Sequence, residues 1–304
     1  MKNQTTEYVL VLSGLSDLPS LPLFLAFFLI YLMTLTGNLL ILLLISTDSH
    51  LHTPMYFFLG TLACLDMGYS SVIVPRMLFD LLAGRRIISV PACITQFYFF
   101  LFFAVSEVIV LAVMSCDRYV AICRPLHYMQ MMSWKVCVQL VSSMLVFGAV
   151  NALVHTLLLT KLTFCRPDAL QSFFCDLPQL LRVSCSDTLV NVVLIFIFAI
   201  LFGGVILGVT FYPYITIIRT ILKIQSKHTR SKAFSTCFSH LTVVFIFYST
   251  SLFNYLRLNV SDQHTENKVA SVFYSIFTPF LNPLIYSLRN QELKISLRKA
   301  LQRK

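Results

Sequence analysis

The chain has 304 residues, of which 57% are hydrophobic and 12% charged, and its 23 Lys and Arg outnumber its 13 Asp and Glu by ten. A soluble domain usually carries about a quarter charged residues, so this composition excludes a chain whose whole surface faces water. It also excludes intrinsic disorder and disfavours a nucleic-acid-binding module. We therefore expect most of the chain to lie in lipid.

Long apolar blocks bounded by charged residues dominate the chain, and each reaches the roughly 20 residues that a helix needs to cross hydrocarbon. The sequence predicts an all-α membrane protein, a seven-transmembrane helix bundle in one domain spanning 1–304. Residues 1–20 are expected to form a free extracellular tail, and residues 290–304 a short helix in the cytoplasmic interface. The predicted transmembrane helices cover 21–46, 56–79, 93–122, 136–159, 189–222, 233–256 and 269–288.

The distribution of Lys and Arg predicts the orientation. With the N-terminus outside, 14 of the 23 basic residues fall in cytoplasmic segments, as the positive-inside rule requires. The surplus positive charge then marks a cytoplasmic face and needs no nucleic-acid partner. In this orientation the sequon at Asn3 lies outside and is a predicted glycosylation site, whereas a second sequon at Asn259 sits in a short loop close to lipid.

Four of the nine cysteines fall on the predicted outer side, which is oxidising. Three of them lie in the connection of about 29 residues between the fourth and fifth helices, and a loop of that length is usually functional. Four cysteines allow three pairings, and their spacing does not choose among these. The sequence predicts a lid pinned by disulfides that involve Cys93, Cys165, Cys175 and Cys185.

Two acidic residues, Asp66 and Glu107, lie inside predicted helices, where a charge is costly and usually marks function. At 1.5 Å rise per residue, both are roughly 15 Å from the cytoplasmic face, and Asn38 and Asn282 lie near the same level. Two adjacent carboxylates do not both ionise without a counter-ion. Either a proton is retained or a sodium ion is bound, and we weigh these two states equally.

The outer half of the third helix carries apolar residues at helical spacing, including Phe97, Phe100, Leu101 and Ala104. Packing between helices explains such a stripe in the cytoplasmic half. Below the long loop, a ligand cavity is an equally good explanation.

Several motifs in fixed order resemble those of the vertebrate odorant (olfactory) receptors, a branch of the rhodopsin-like, class A G-protein-coupled receptors. Together they extend over nearly the whole chain. They are Gly37-Asn38, the segment Leu51 to Leu59, Asp66, the segment Met114 to Cys123, Pro125 to Tyr128, Lys232 to Cys237, and Pro279 to Asn290. Cys116 and Pro213 depart from the family pattern, in which tyrosine and serine are usual.

The resemblance implies roles for individual residues. It implies disulfides Cys93–Cys175 and Cys165–Cys185, and it makes Asp66 and Glu107 a sodium-type site. It also implies a cytoplasmic switch that meets a G protein when helix six swings outward. The residues implied in that switch are Asp117, Arg118, Tyr119, Tyr214, Asn282, Pro283 and Tyr286.

A ligand pocket between helices three, five, six and seven is likewise implied by the resemblance. Every side chain in it is uncharged, which favours a small, neutral, mostly apolar ligand oriented by one or two hydrogen bonds from Ser251, Tyr255 or Ser275. The implied pocket residues are Phe97, Phe100, Leu101, Ala104, Val105, Phe198, Phe202, Tyr248, Ser251, Leu252, Tyr255 and Ser275.

The resemblance predicts an odorant receptor of the plasma membrane that binds small volatile molecules, activates a stimulatory heterotrimeric G protein and raises cyclic AMP. We expect no cofactor other than a structural sodium ion. The alternatives are an ion or proton transporter that uses Asp66 and Glu107, and a non-olfactory class A receptor. We do not expect an enzyme, because the histidines are scattered without metal-ligand spacing and no nucleophile motif accompanies them.

Overall fold

A computed structural model describes residues 9–12, 20–84, 86–164, 169–170, 172–223, 225–226, 230, 237–238, 241–246, 248–249 and 272–302. Helix one spans Ser20–Thr47, helix two Pro54–Ala83, helix three Val90–Cys123 and helix four Trp134–Leu159. Helix five spans Leu189–Leu222. All five are long and apolar enough to cross a membrane. Helices one to four extend beyond their predicted ranges, and helix five coincides with its own.

The last predicted helices are described in part. Within predicted helix six, residues 237–238, 241–246 and 248–249 are helical, and the rest of 233–256 lies outside the described residues. Helix seven comprises a π-helical turn at Phe273–Phe277 and an α-helix at Thr278–Arg289. The tail helix spans Gln291–Gln302. Shorter helices occur in the connections, at Ser49–Leu51, Pro125–His127, Tyr128–Met131 and Leu177–Arg182.

Helix two illustrates how the sequence sets the ends of a helix. Pro54 occupies the first turn, where the N–H that proline lacks has no helical partner in any case. The helix ends at Gly84, whose φ of 61° is left-handed and favours glycine. Helix three begins in a similar way: the Ser89 hydroxyl accepts a hydrogen bond from the Ala92 N–H.

Helix five contains a second π-helical segment, Phe198–Gly203, between its α-helical parts Leu189–Ile197 and Gly204–Leu222. A π-helical turn inserts an extra residue and rotates the faces of the helix that follow it, and such turns are frequent at functional sites. The two π segments contain three residues of the implied ligand pocket, Phe198, Phe202 and Ser275. Apolar periodicity alone gave no sign of either segment.

A small sheet covers one end of the bundle. β1 (Val9–Leu12) pairs antiparallel with β2 (Ile87–Ser89) and parallel with β3 (Ala169–Leu170). Leu10 and Leu12 are almost fully buried. The interpretation of residues 1–20 as a free tail missed this strand, because its alternating pattern spans only four residues and its two partner strands come from distant loops.

Two buried clusters divide the bundle along its length. The outer cluster joins helices two and three to β1 and the long loop, and it includes Leu10, Tyr69, Phe97 and Phe174. The inner cluster joins helices one to four to helix six and the tail helix, and it includes Phe58, Val110 and Leu293. The polar side chains Asp66 and Glu107 lie buried along helices two and three.

Candidate functional site

The outer half of helix three packs into an aromatic cluster. The Phe100 ring lies 5.4 Å from the Tyr69 ring of helix two and 5.1 Å from the Phe174 ring of the long loop, measured between centroids. Phe97 and Ala104 belong to the same buried cluster. Three of the implied pocket residues are thus held together in an apolar, uncharged environment.

The long loop is fixed to helix three by a disulfide and a buried amide. Cys93 and Cys175 form a disulfide whose Cα atoms are 5.5 Å apart. The Gln96 Oε1 accepts a hydrogen bond from the Cys175 N–H at 3.0 Å, and its Nε2 donates to the Val72 carbonyl of helix two at 3.0 Å. The sequence analysis missed Gln96, although a lone amide one turn after Cys93 in an apolar helix was a signal for such a bridge.

Only one cysteine of the second implied disulfide lies among the described residues. Cys185 is disulfide-bonded, and Cys165 lies outside the described residues. Asn3 also lies outside them. In the same loop, burial raises the pKa of the Asp176 carboxyl to about 6, against a hydrogen bond from the Leu177 backbone that lowers it.

The implied pocket residues of helix five lie against helix four. The Phe198 and Phe202 rings stack on each other at 4.6 Å and on Phe147 at 6.3 and 4.9 Å. Phe198 also meets the ring of the buried His155 edge-on at 5.9 Å. Leu101 is half-buried on helix three, and Val105 is buried there.

Helix six contributes one described pocket residue, Tyr248. Its hydroxyl lies 3.2 Å from the Thr210 hydroxyl of helix five, and its ring tilts against Phe211 at 5.7 Å. In helix seven, Ser275 is fully buried. Ser251, Leu252 and Tyr255 lie outside the described residues.

Below the pocket, helices two, three and seven bring three polar side chains together. The Asn282 Nδ2 donates to the two carboxylate oxygens of Asp66 at 3.0 and 3.1 Å and to Glu107 Oε1 at 3.4 Å. The carboxyl groups of Asp66 and Glu107 also lie within hydrogen-bonding reach of each other. All three residues are at least 98% buried. We call Asp66, Glu107 and Asn282 the buried acid layer.

The two acids thus lie close together, as their positions in the sequence predicted, and Asn282 donates a hydrogen bond to each. Asn38 instead links helix one to helix seven, donating to the Thr34 carbonyl at 3.0 Å and the Pro279 carbonyl at 3.5 Å. Carboxylate oxygens are ligands that hard cations prefer, and the two carboxyl groups of the buried acid layer could hold one small cation or share one proton. Asn282 presents its NH2 group to both acids and therefore acts there as a hydrogen-bond donor and not as a cation ligand.

At the other end of helix three, three side chains form a second hydrogen-bond cluster. The Arg118 Nη2 donates to Asp117 Oδ2 at 2.8 Å, and the Tyr128 hydroxyl donates to Asp117 Oδ1 at 2.8 Å. Asp117 is fully buried. We call Asp117, Arg118 and Tyr128 the switch cluster. Sequence analysis named the first two; Tyr128 stood in a motif without a role.

Helices five and six close over this end of helix three. Tyr214 is hydrogen-bonded to the Ser115 hydroxyl, and it packs with Ile217 and Ile221 of helix five and with Cys237 of helix six. Tyr119 of the implied switch packs on the edge of the same cluster.

Among the helix seven residues of the implied switch, Pro283 is buried within the helix. Tyr286 also belongs to helix seven, and its side chain lies outside the described part.

The tail helix is anchored by a cap that the sequence analysis did not predict. The Asn290 Oδ1 accepts hydrogen bonds from the N–H groups of Glu292 and Leu293 and from the Tyr56 hydroxyl. Asparagine before the amphipathic segment was a capping signal. On the neighbouring loop, hydrogen bonds from the His50 backbone and the Ser296 hydroxyl lower the pKa of Asp48, as does the charge of Lys299.

Comparison with known proteins identifies the family. A sequence model described as "Olfactory receptor" matches residues 27–304. The chain is 48% identical to human olfactory receptor 5B12, with 98% of this chain and 96% of that protein covered. It is 46% identical to mouse olfactory receptor 8B8, covering 96% and 95%, and 46% identical to mouse olfactory receptor 5AR1, covering 98% and 96%.

Proposed function

This chain belongs to the olfactory receptor family of seven-transmembrane G-protein-coupled receptors, so it is an odorant receptor and not an enzyme. On this basis we propose a specific ligand class and a signalling route for it. The receptor binds small, neutral, mostly apolar volatile molecules in the outer half of the bundle. It lies in the plasma membrane with its N-terminus outside, activates a stimulatory G protein and raises cyclic AMP. The receptor family also disfavours the transporter alternative.

The observation that carries the ligand class is the absence of charge from the described part of the implied pocket. Phe97, Phe100, Ala104 and Val105 are all buried and apolar. A charged ligand there would lose its hydration without an opposite charge to replace it, which costs several kcal/mol. We expect one or two hydrogen bonds, from Ser251, Tyr255 or Ser275, to orient the ligand.

A cyclic AMP screen of the expressed receptor against a chemically broad volatile panel tests the ligand class. We expect neutral esters, ketones, alcohols or hydrocarbons to activate it. A panel in which only amines or carboxylates activate the receptor would overturn the proposal.

The signalling route is supported by the switch cluster. In the described geometry, Arg118 is paired with the buried Asp117 and lies near Tyr214 of helix five and Cys237 of helix six. We expect a G protein to engage this arginine when helix six moves outward. Replacing Arg118 with alanine should abolish the cyclic AMP response and spare surface expression. The exposed Arg124, six residues further on, gives a matched control, since Arg124→Ala should leave a response.

We further propose that the buried acid layer holds one positive charge, either a sodium ion or a shared proton, in the inactive receptor. Two carboxyl groups at this burial would otherwise repel each other. Glu107→Gln should change the response to sodium if an ion is bound, and it should change basal activity without sodium dependence if a proton is shared. Activation that is unaffected by both Glu107→Gln and sodium removal would argue against either form.

A further inference from the structure

A groove runs along the outside of the bundle between helix one, helix seven and the tail helix, remote from the ligand pocket. One wall is helix one from Met33 to Leu44, and the other is formed by Phe280, Pro283 and Leu284. Its volume is about 280 Å³, just below the roughly 300–1,000 Å³ of pockets for drug-sized ligands. This volume favours a slender occupant.

The groove is closed at its tail-helix end by Leu293 and Leu297. Met33 and Leu44 are eleven residues apart in helix one, so at 1.5 Å per residue the groove is roughly 16 Å long. Half of a bilayer's hydrocarbon core is about 15 Å thick. The groove therefore has the length of one leaflet and lies across it, as an acyl chain does.

The lining offers nothing to a polar ligand. Thr36 is the polar residue in it, and its hydroxyl already donates to the Leu32 carbonyl at 2.7 Å. At the floor, helices one and seven approach so closely that a Cβ on Gly37 would come within 3.3 Å of the Pro283 ring. Glycine at this position keeps the two helices together and gives the groove a continuous apolar floor.

Basic side chains stand at the closed end. At 3.6 residues per turn, Lys294 and Arg298 each lie about 100° round the tail helix from the preceding groove-lining residue, Leu293 or Leu297. This puts both basic side chains beside the groove, and both are exposed. Within the described residues neither forms a salt bridge. Lys299 lies on the opposite flank, towards Asp48. Positive charge beside the closed end of an apolar groove complements a lipid with an anionic headgroup.

We propose that this groove binds one acyl chain of an anionic phospholipid, whose net negative headgroup is held by Lys294 and Arg298. In the proposed orientation the site faces the cytoplasmic leaflet, where anionic lipids are concentrated. Binding there ties helix one to helix seven and the tail helix through a lipid, in addition to the hydrogen bond from Asn38 of helix one to the Pro279 carbonyl of helix seven.

Photolabelling in nanodiscs tests the site. The full receptor is reconstituted in nanodiscs of about nine parts phosphatidylcholine to one part phosphatidylserine. The phosphatidylserine is the probe and carries a diazirine on one acyl chain. Labelled peptides are mapped by mass spectrometry. Labelling should concentrate on Met33 to Leu44 and on the tail helix. Because the probe is in both leaflets, an inverted orientation would leave this result intact, so failure of the orientation and failure of the site are distinguishable.

Two pairs of variants separate the groove from the general lipid surface. Leu40→Trp fills the groove, whereas Leu39→Trp adds the same bulk at an exposed position of helix one outside it. The double variant Lys294→Gln with Arg298→Gln removes the headgroup contacts, and Lys299→Gln removes a charge from the other flank. Leu40→Trp and the double variant should each reduce labelling by roughly tenfold. The two controls, Leu39→Trp and Lys299→Gln, should leave it unchanged.

Four outcomes would overturn the proposal. Labelling spread evenly over the lipid-facing helices, or equal labelling by a phosphatidylcholine probe, would mean ordinary surrounding lipid. Competition by cholesterol but not by unlabelled phosphatidylserine would identify a sterol site. Protection of the groove together with receptor-to-receptor crosslinks would identify a second receptor copy as the occupant.

Discussion

In the orientation proposed above, the outer and cytoplasmic halves of this receptor are held together by different kinds of interaction. In the outer half, the Cys93–Cys175 disulfide and a tightly packed aromatic cluster fix the long loop on helix three. The cytoplasmic half has its own buried apolar cluster, but its helix ends are joined by hydrogen bonds between side chains, from Tyr128 to Asp117 and from Tyr56 to Asn290. Close packing and covalent bonds resist rearrangement, whereas a hydrogen bond contributes about 1 kcal/mol and is readily exchanged.

From this difference we expect recognition in the outer half and movement in the cytoplasmic half. The buried acid layer joins the two, because Asn282 contacts both Asp66 and Glu107 from helix seven. Changes in the outer half should therefore affect stability and ligand response, and changes in the switch cluster should affect basal signalling.

Loss of the disulfide should give the largest effect. Cys175→Ser releases a loop whose ends are 82 residues apart in sequence, which corresponds to about 4.5 kcal/mol of chain entropy. We expect a large fall in the thermal unfolding midpoint of the purified receptor. The control is Cys64→Ser, which removes a free, exposed thiol. If both variants unfold at the wild-type temperature, the outer half does not depend on this bond.

Removal of the hydrogen-bond donor in the buried acid layer should give the second-largest loss of stability. Asn282→Ala leaves two buried carboxyl groups without their amide partner, at a cost of about 1–3 kcal/mol in unfolding free energy. The same change in an Asp66→Asn background should cost less, because one carboxyl is then absent. Equal losses in the two backgrounds would show that Asn282 acts through other contacts.

The pH dependence of the long loop should give a smaller effect. Burial raises the pKa of Asp176 to about 6 from 3.8, so the folded receptor binds the proton more tightly than the unfolded chain. Stability should fall as pH rises from about 4 to 6. Asp176→Asn should remove this fall and stabilise the receptor at pH 7. We expect a gain of about 1–2 kcal/mol, less than full burial would give, because solvent screens a side chain that is partly exposed. A variant less stable than wild type at pH 7 would contradict this.

The smallest change in free energy is expected in the cytoplasmic half, where its readout is signalling. Tyr128→Phe removes one hydrogen bond to Asp117, worth about 1 kcal/mol, and should raise basal cyclic AMP roughly fivefold at equal surface expression. Tyr212→Phe at an exposed position is the control. Basal activity at or below the wild-type level would mean that Tyr128 does not hold the inactive state.

Much of the architecture could be predicted because lipid imposes a simple rule on sequence. Apolar blocks of about 20 residues must be helices, and helix five lies where its block predicted it, at Leu189–Leu222. The vertical position of a residue also follows from helix rise, which is why Asp66 and Glu107 were expected at one level.

The direction in which each side chain faces around its helix could not be predicted in the same way. The π-helical turn Phe198–Gly203 changes the faces of helix five, and Phe198 and Phe202 stack on Phe147 of helix four. The strand Val9–Leu12 depends on partners about 80 and 160 residues away, so its own four residues carry too little pattern to reveal it.

The central claim is that a ligand bound in the rigid outer half opens the cytoplasmic half. Cys237 reports on this directly, because it is 6% exposed and packs against Tyr214 and Ile217. The alkylation rate of Cys237 is measured in membranes, with and without an odorant that raises cyclic AMP, and compared with the buried Cys137 of helix four. We predict faster alkylation of Cys237 alone when the odorant is bound. An unchanged rate, or equal acceleration at both cysteines, would contradict the account.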